Sequence, residues 1–168
     1  RGVKFDFDNI LPEDRDAYNN FLHVAGSRLN TEGFYISVAL MPKFISPDYL
    51  AYDYEALGRI VDFVLLKTYN WGLIEGPPAP IIPINDLRNV LDFALSMIPR
   101  EKTFIGLPLY AKDWIIPYVS GREAEIMSVQ TAIIRAQNNN AQIQYDEISQ
   151  SPFFYYSDEQ GMMHEVWF

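Results

Sequence analysis

The sequence contains no cysteine and only two histidines in 168 residues. The absence of cysteine excludes disulfides and thiolate metal sites, and it says little about the compartment in which the protein works. The two histidines, His23 and His164, lie far apart in the chain, so a transition-metal site is not expected. We therefore expect no metal and no other cofactor.

Long apolar runs and an excess of positive charge are also absent. No apolar run reaches the roughly 18 residues that a membrane span needs. The net charge is −9, whereas nucleic-acid backbones and anionic membranes attract proteins with a basic face. Nucleic acid is therefore not expected as a partner, and neither is a membrane span. The chain starts at Arg1 without a signal peptide, which is uninformative because the true start need not be included.

Apolar and aromatic residues are abundant. Hydrophobic residues make up 49% of the chain and aromatic residues 15%, which argues against disorder and allows one domain with a sizeable core. Most aromatic residues in proteins are core residues. An excess of them in loops after strands would instead suit stacking on sugar rings.

Segments with the length of strands alternate with amphipathic helical segments. Strands are predicted at 2–8, 34–40, 61–68 and 103–109, and helices at 12–29, 48–59 and from a cap at Asn85 or Asp86 to Ile98. Three strand–helix–strand crossovers imply a parallel sheet with helices outside it. The last forty residues differ, since 128–137 predicts a helix, and 153–156 and 162–168 predict a hairpin. This part is an α+β appendage.

Two architectures fit four parallel strands, an open doubly wound sheet and part of an eight-stranded barrel. No glycine-rich phosphate loop follows any strand, which weakens the nucleotide-binding alternative. Polar and aromatic residues gather instead where the predicted strands end, and a barrel builds its active site there. These residues are Asp6, Asp8, Tyr69, Asn70, Trp71, Tyr110, Asp113 and Trp114.

Asp6 and Asp8 are the strongest candidates for chemistry. They are two residues apart on a strand, so both side chains point to the same face, as does Lys4. Two close carboxylates can raise the pKa of one of them and so provide a proton donor. On spacing alone, the simpler interpretation is that Asp8 ends the strand and caps a turn. The aromatic residues, each taken alone, also fit ordinary packing.

Several stretches together are more specific than any one of them. Residues 2–15 read Gly-Val-Lys-Phe-Asp-Phe-Asp-Asn-Ile-Leu-Pro-Glu-Asp-Arg, and residues 67–72 read Lys-Thr-Tyr-Asn-Trp-Gly. Residues 105–114 read Ile-Gly-Leu-Pro-Leu-Tyr-Ala-Lys-Asp-Trp, and 164–168 read His-Glu-Val-Trp-Phe. In this order they resemble family 18 glycoside hydrolases, most closely the spore-cortex-lytic and sporulation-specific members. The resemblance covers nearly the whole chain.

The resemblance implies an α/β fold that is part of a (β/α)8 TIM barrel. In that family the acidic strand is the fourth of eight, so the chain is expected to hold strands four to seven. Residues 1–121 would form half of the barrel domain, and 122–168 a small α+β insertion. A barrel usually needs about 250 residues, so the other strands would lie outside this chain. Exposed sheet edges at Gly2 and Thr103 would then favour self-association.

The resemblance also implies a reaction. The family cleaves glycosidic bonds with retention, using the substrate's own N-acetyl oxygen as nucleophile. By position, Asp6 would orient the acetamido group, Tyr69 would hydrogen-bond it, and Asp8 would occupy the place of the general acid. Substrate contacts are expected from Asn70, Trp71, Tyr110, Asp113 and Trp114. The expected partner is peptidoglycan or another N-acetylglucosamine oligosaccharide, in the spore coat or cortex or the cell envelope.

The chain departs from the family at several of these positions. Asp8 stands where the family has glutamate, which places its carboxyl about 1.5 Å short. Lys67 stands where methionine is usual, and Asn70 where an acid is usual. Three hypotheses follow: a glycosidase acting on N-acetylglucosamine-containing peptidoglycan, weakened at Asp8 or not; a non-catalytic carbohydrate-binding relative; and a truncated gene product.

Overall fold

The computed structural model describes residues 1–43, 47–69 and 71–168. They form two compact units, and the chain contributes two segments to each. The first unit comprises Arg1–Thr68 and Arg88–Gly106, and the second comprises Tyr69–Leu87 and Leu107–Phe168.

A four-stranded parallel sheet forms the centre of the first unit. Its strands are β1 (Gly2–Phe5), β2 (Tyr35–Leu40), β3 (Phe63–Leu66) and β4 (Thr103–Ile105), in that spatial order. The predicted parallel order is confirmed, although three of the predicted strands extended too far toward their carboxyl ends. The outer strands are β1 and β4, and self-association through them stays a prediction.

Helices connect the strands, as the strand–helix alternation predicts. They are a 3-10 turn at Pro12–Asp14, α1 (Arg15–Thr31), a 3-10 turn at Pro47–Ala51, α2 (Tyr54–Ile60), α3 (Ile84–Leu95) and a 3-10 turn at Arg100–Lys102. The helix predicted at 48–59 is divided because Asp53 caps α2, its side chain accepting a hydrogen bond from the backbone N–H of Ala56. The predicted cap of α3 was placed too late, since Asn85 and Asp86 lie within its first turn.

Helix α1 packs closely on the sheet. Ile36, Val38 and Leu40 alternate along β2 and are fully buried, which is the pattern of a strand covered on this face. A Cβ at Gly26 of α1 would lie 2.6 Å from Ile36 Cδ1. Glycine at this position therefore allows the helix to approach the strand.

A five-stranded antiparallel sheet forms the second unit. Its strands are β5 (Tyr110–Ile116), β6 (Glu125–Ser128), β7 (Gln144–Asp146), β8 (Ser151–Ser157) and β9 (Met163–Trp167), in the order β6-β5-β9-β8-β7. Helix α4 (Val129–Asn138) follows β6. The predicted helix and the predicted hairpin, here β8 and β9, are confirmed.

Strands β5, β6 and β7 were not predicted from the sequence. We expected Tyr110, Asp113 and Trp114 at the carboxyl end of the strand predicted at 103–109. That expectation is wrong, because β4 ends at Ile105 and the three residues lie within β5, which pairs with β6 and β9. Residues 107–121 thus belong to the second unit, and the domain division at 121/122 stays a prediction. Within the described ranges, no helix has the length and apolarity to cross a membrane.

Candidate active site

Asp6 and Asp8 lie directly after β1, at the carboxyl end of the parallel sheet. Lys4 Nζ lies 3.3 Å from Asp6 Oδ2, so these alternate residues share a face, as the spacing predicts. The side chain of Asp6 is 34% exposed and that of Asp8 is 63% exposed. Both carboxylates are therefore accessible at this edge of the sheet.

The backbone between the two acids is fixed from the opposite side. The ring of Phe7 packs against Phe21 of α1, with ring centroids 5.8 Å apart. The hydroxyl of Tyr52 donates a hydrogen bond to the carbonyl of Phe7 at 3.0 Å. Asn9 then adopts a left-handed conformation with φ 59°, which asparagine tolerates better than most residues. The chain thus turns away from the sheet immediately after Asp8.

Lys67 connects the two acids. It follows β3, and β2 lies between β3 and β1, so its side chain reaches across one strand. Its Nζ donates hydrogen bonds to Asp6 Oδ1 at 2.9 Å and to Asp8 Oδ1 at 2.7 Å. The side chain of Lys67 is only 11% exposed. Asp6, Asp8 and Lys67 are called the ion triad below.

Hydrogen bonds within the ion triad stabilise the charged forms of Asp6 and Lys67. The hydrogen bond from Lys67 lowers the pKa of Asp6 below its usual value, against partial burial, and Lys4 acts in the same direction. Burial opposes the charge of the Lys67 ammonium, but the hydrogen bonds to Asp8 and Asp6 outweigh it and raise the pKa of Lys67. A persistent positive charge therefore lies between the two carboxylates.

The contact of Lys67 with the acids was not predicted from the sequence, which marked this lysine only as a departure from the family. A signal was available. A lysine at the end of an apolar strand needs a partner for its charge. Asp6 and Asp8 end another strand of the same parallel sheet, where the carboxyl ends of strands meet.

The loop after residue 68 belongs to the second unit, and side chains of β5 hold its backbone. The Tyr110 hydroxyl donates to the Tyr69 carbonyl, and Lys112 Nζ donates to the carbonyl of Gly72. Lys112 Nζ also donates to the carbonyl of Trp71 at 3.1 Å. Two further hydrogen bonds from other parts of the second unit also hold this loop.

The second part of the loop is held in the same way. The Tyr118 hydroxyl donates to the carbonyl of Glu75 at 2.8 Å, and the backbone N–H of Ala124 donates to the carbonyl of Ile74 at 2.8 Å. All of these acceptors are backbone carbonyls. We call this set of five hydrogen bonds the loop anchor.

A groove of about 560 Å³ lies beside the loop anchor within the second unit. It is lined by Tyr69, Gly72, Leu73, Ile74, Glu75, Tyr110, Lys112 and Ile126. Burial lowers the pKa of Lys112 and raises the pKa of Tyr110. The groove combines aromatic and apolar walls with an amine and phenol groups, a composition that suits a sugar.

Asp113 lies in the interior of the second unit rather than on a binding surface. Its side chain is 1% exposed. The carboxylate accepts from Arg135 at 2.5 Å and from the Tyr156 hydroxyl at 2.7 Å, and it contacts His164 Nδ1 at 2.7 Å. Glu125 binds the same guanidinium at 2.8 Å. These contacts give Asp113 a structural role, and its predicted role in substrate binding has no support from its burial.

Trp114 is also a core residue of the second unit. It is 2% exposed and packs in a cluster with Ile81, Ala124 and Trp167. Among the described residues its indole N–H has no hydrogen-bond acceptor. A ring buried in this way presents no free face, so the sugar-platform role of Trp114 stays a prediction that its exposure does not favour.

The predicted site residues fall into different parts of the structure. Asp6 and Asp8 belong to the first unit, whereas Tyr69, Trp71 and Tyr110 belong to the second, where the loop anchor brings these three together. The clustering of Tyr69 with the acids in one pocket stays a prediction. Asn70 lies outside the described residues. Within the part of the chain that the structure describes, no group of His, Asp and Glu side chains is arranged to hold a metal ion.

The chain combines a parallel sheet with helices, carboxylates at the carboxyl edge of that sheet, and a second, antiparallel sheet. These features are compatible with a TIM-barrel-like glycosidase. The model of the glycosyl hydrolases family 18 matches residues 1–168. The chain therefore belongs to glycosyl hydrolase family 18, and its fold is the family's TIM-barrel-like α/β fold.

Particular relatives agree with this assignment. The chain is 46% identical over 173 residues to the cortical fragment-lytic enzyme of Bacillus subtilis (strain 168), covering 100% of this chain and 40% of the relative. It is 40% identical over 169 residues to the putative sporulation-specific glycosylase YdhD of the same organism, covering 99% of this chain and 40% of the relative. The chain thus spans about two fifths of the length of these curated relatives.

Solved structures give the same result. The crystal structure of YdhD from Bacillus subtilis matches with a TM-score of 0.94 and 40% identity, over 99% of this chain and 57% of that one. The Bacillus cereus spore cortex-lytic enzyme SleL matches with a TM-score of 0.92 and 44% identity, over 100% of this chain and 39% of that one.

Proposed function

We propose that the chain is part of the catalytic domain of a glycosidase that hydrolyses N-acetylglucosamine-containing glycans. Relatives are named as cortical fragment-lytic and spore cortex-lytic enzymes, which supports peptidoglycan of the spore cortex or cell wall as the substrate and action outside the cytoplasm. The observation that carries the proposal is the pair of accessible carboxylates, Asp6 and Asp8, at the carboxyl end of a parallel strand in a family 18 chain.

The proposed architecture is a closed eight-stranded barrel in which β1 to β4 are strands four to seven. Their parallel order, with helices between them, supports this assignment. Family 18 membership supports closure by strands that this chain does not contain. Barrel enzymes carry their chemistry at the carboxyl ends of their strands, and both acids follow β1 there.

The proposed reaction is substrate-assisted and retaining. The N-acetyl oxygen of the substrate attacks the anomeric carbon, Asp6 accepts a hydrogen bond from the acetamido N–H, and the Tyr69 hydroxyl donates to the acetamido oxygen. Asp8 donates a proton to the leaving oxygen, and it later accepts one from the water that opens the cyclic intermediate. The reaction thus assigns a separate task to each of the three residues.

The length of Asp8 limits this reaction. Aspartate is one methylene shorter than glutamate, which moves the carboxyl back by about 1.5 Å. Misplacing a reacting group by about 1 Å can cost on the order of a hundredfold in rate. The backbone around Asp8 is held by the Tyr52 hydroxyl at the carbonyl of Phe7, so it does not easily move forward to compensate.

The test compares the intact protein with its Asp8→Glu variant on peptidoglycan fragments and N-acetylglucosamine oligosaccharides. We expect kcat to rise by about tenfold to a hundredfold in Asp8→Glu with little change in KM, because the acid acts mainly in the transition state. Asp16→Glu is the matched control, since Asp16 is an exposed acid on α1 and is not a member of the ion triad. Equal rates for Asp8→Glu and the unchanged protein would reject Asp8 as a misplaced acid.

A non-catalytic carbohydrate-binding protein is the second candidate. The observation that favours it is Lys67, which occupies oxygens of both Asp6 and Asp8. The groove beside the loop anchor would still bind sugar through Tyr69 and Tyr110. Binding of the oligosaccharides without turnover, in both the unchanged protein and Asp8→Glu, would identify this function and refute the glycosidase.

A further inference from the structure

The ammonium of Lys67 lies between the two carboxylates that the proposed reaction uses. Nζ is 2.9 Å from Asp6 Oδ1 and 2.7 Å from Asp8 Oδ1, and the side chain is 11% exposed. Lys67 therefore places a positive charge between the two acids of the proposed site.

Resting on the proposed function, we propose that Lys67 is a positioning residue that holds Asp6 and Asp8 in the ion triad and thereby restrains glycoside cleavage. It acts through the two carboxylates, in two ways that the geometry distinguishes. It occupies the oxygens that the substrate needs, and it neutralises negative charge that the transition state needs.

The first effect concerns Asp6. Both of its oxygens already have cationic partners, Oδ1 with Lys67 at 2.9 Å and Oδ2 with Lys4 at 3.3 Å. Asp6 is proposed to orient the acetamido group by accepting its N–H. An amide N–H that approaches Asp6 has to compete with two charge-assisted contacts, which are stronger than neutral hydrogen bonds. Removing Lys67 frees the more tightly held oxygen.

The second effect concerns charge. The sugar ring becomes cationic as the glycosidic bond breaks, and carboxylates beside it stabilise that charge. The Lys67 ammonium stays charged, since the hydrogen bonds with the acids raise its pKa. For an assumed separation of about 7 Å between the ammonium and the cationic ring, and an effective dielectric constant of about 20, the repulsion would slow the reaction by about tenfold to a hundredfold.

Other charged groups around Asp6 limit what removing Lys67 can do. Lys4 faces Asp6 from β1, and the phenol of Tyr18 faces it from α1. Burial raises the pKa of Tyr18, and Tyr52 and the charge of Asp6 act in the same direction. Asp8 shares the Lys67 ammonium. With Lys67 absent, Lys4 stays as the nearest cation, and the pKa of Asp6 rises because its main charge partner is lost.

The experiment uses the intact protein in the Asp8→Glu background, in which turnover is expected to be measurable. Lys67→Met removes the charge, Lys67→Gln is a second neutral variant, and Lys67→Arg keeps the charge. Lys4→Met is the matched control, because Lys4 contacts Asp6 but is not paired with Asp8. Near-ultraviolet circular dichroism identifies the variants that keep the native packing.

Two readouts are measured, the kinetics on an N-acetylglucosamine oligosaccharide and the titration of the Asp6 carboxyl by carbon-13 NMR. We expect Lys67→Met and Lys67→Gln to raise kcat by about tenfold or more, and to move the acidic limb of the pH–rate profile and the Asp6 titration to higher pH. Lys67→Arg, which keeps the charge, should raise kcat much less than Lys67→Met, and so should Lys4→Met.

The outcomes separate the two levels of the proposal. Turnover by Asp8→Glu, without any gain in folded Lys67→Met or Lys67→Gln, overturns the role of Lys67 and leaves the glycosidase standing. An Asp6 titration that Lys67→Met does not move also overturns it. No turnover in any variant refutes the glycosidase, and the inference on Lys67 falls with it.

Discussion

Removing the carboxylate of Asp113 is expected to destabilise the second unit strongly. Its side chain is 1% exposed, and it binds Arg135, the Tyr156 hydroxyl and His164 Nδ1 at 2.5 to 2.7 Å. The variant Asp113→Ala leaves all three groups without this acceptor. Two of them, the Tyr156 hydroxyl and the His164 ring, lie in the interior of the sheet, where water does not readily replace the lost bond.

The magnitude follows from the burial of the pair. Breaking a buried ion pair by removing one partner costs about 3–5 kcal/mol. Arg135 keeps its second partner, Glu125, at 2.8 Å, so we expect the lower end of that range, about 3 kcal/mol. For a chain of this size, 1 kcal/mol corresponds to a change in Tm of about 2–4 °C. The expected loss in Tm is therefore about 6–12 °C.

The assay is urea unfolding followed by tryptophan fluorescence. All three tryptophans of this chain, Trp71, Trp114 and Trp167, belong to the second unit, so their emission reports on its unfolding. Glu125→Ala is the matched control, because Glu125 binds the same guanidinium but its side chain is 59% exposed. An exposed pair contributes at most about 1 kcal/mol.

Equal destabilisation by Asp113→Ala and Glu125→Ala would refute this reasoning. The experiment also separates the two roles that Asp113 has been given. If Asp113 binds substrate, Asp113→Ala should have a higher KM and a nearly unchanged urea midpoint. If Asp113 has a structural role, Asp113→Ala should have a lower urea midpoint, and the folded fraction of the variant should keep the KM of the unchanged protein.

Two further predictions concern the first unit. Gly26→Ala should lower the free energy of unfolding by about 1 kcal/mol more in the unchanged protein than in an Ile36→Val background. The new Cβ would lie 2.6 Å from Ile36 Cδ1, which is the atom that valine lacks. Additive unfolding free energies in the double-mutant cycle would contradict this. Because Lys67 lowers the pKa of Asp6, the resulting stability is present above the ordinary value of 3.8 and is lost as the pH falls through the lowered pKa. The stability difference between the unchanged protein and Lys67→Met should therefore stay constant near neutral pH and shrink as the pH falls from about 5 to below 3.8. A constant difference in urea midpoints across this range would exclude the linkage.

The parallel sheet could be predicted from sequence because each strand has a recognisable local sequence pattern. Ile36, Val38 and Leu40 form the buried face of an apolar strand, and the helical segments between strands are long enough for crossovers. The same alternation placed Lys4, Asp6 and Asp8 on one face. These features depend on residues close together in the chain.

Strand β5 could not be predicted in the same way. Lys112 and Asp113 look like loop residues, yet both are buried at 4% exposure. Their partners come from distant positions, the carbonyls after Tyr69 for Lys112, and Arg135 and His164 for Asp113. The local sequence pattern cannot show that a charged side chain has a partner 22 to 51 residues away in the chain.

The ion triad was missed for a related reason. The sequence marks Lys67 as unusual, but its partners follow from the order of the strands, since β1 and β3 are separated only by β2. Once that order is known, an ammonium after β3 and carboxylates after β1 meet at one edge of the sheet. The resemblance to the family indicated Asp6 and Asp8, whereas their contact with Lys67 is visible only in the structure.

The loop anchor has a consequence for how this protein can evolve. Each of its five acceptors is a backbone carbonyl, at Tyr69, Trp71, Gly72, Ile74 and Glu75. Because every residue carries such a carbonyl, mutations can exchange most side chains of the loop without removing the bonds that hold its path. Gly72 is the exception, since its φ of 64° favours glycine. Ligand preference can therefore drift among homologues at the other positions while the scaffold beneath the groove is inherited intact.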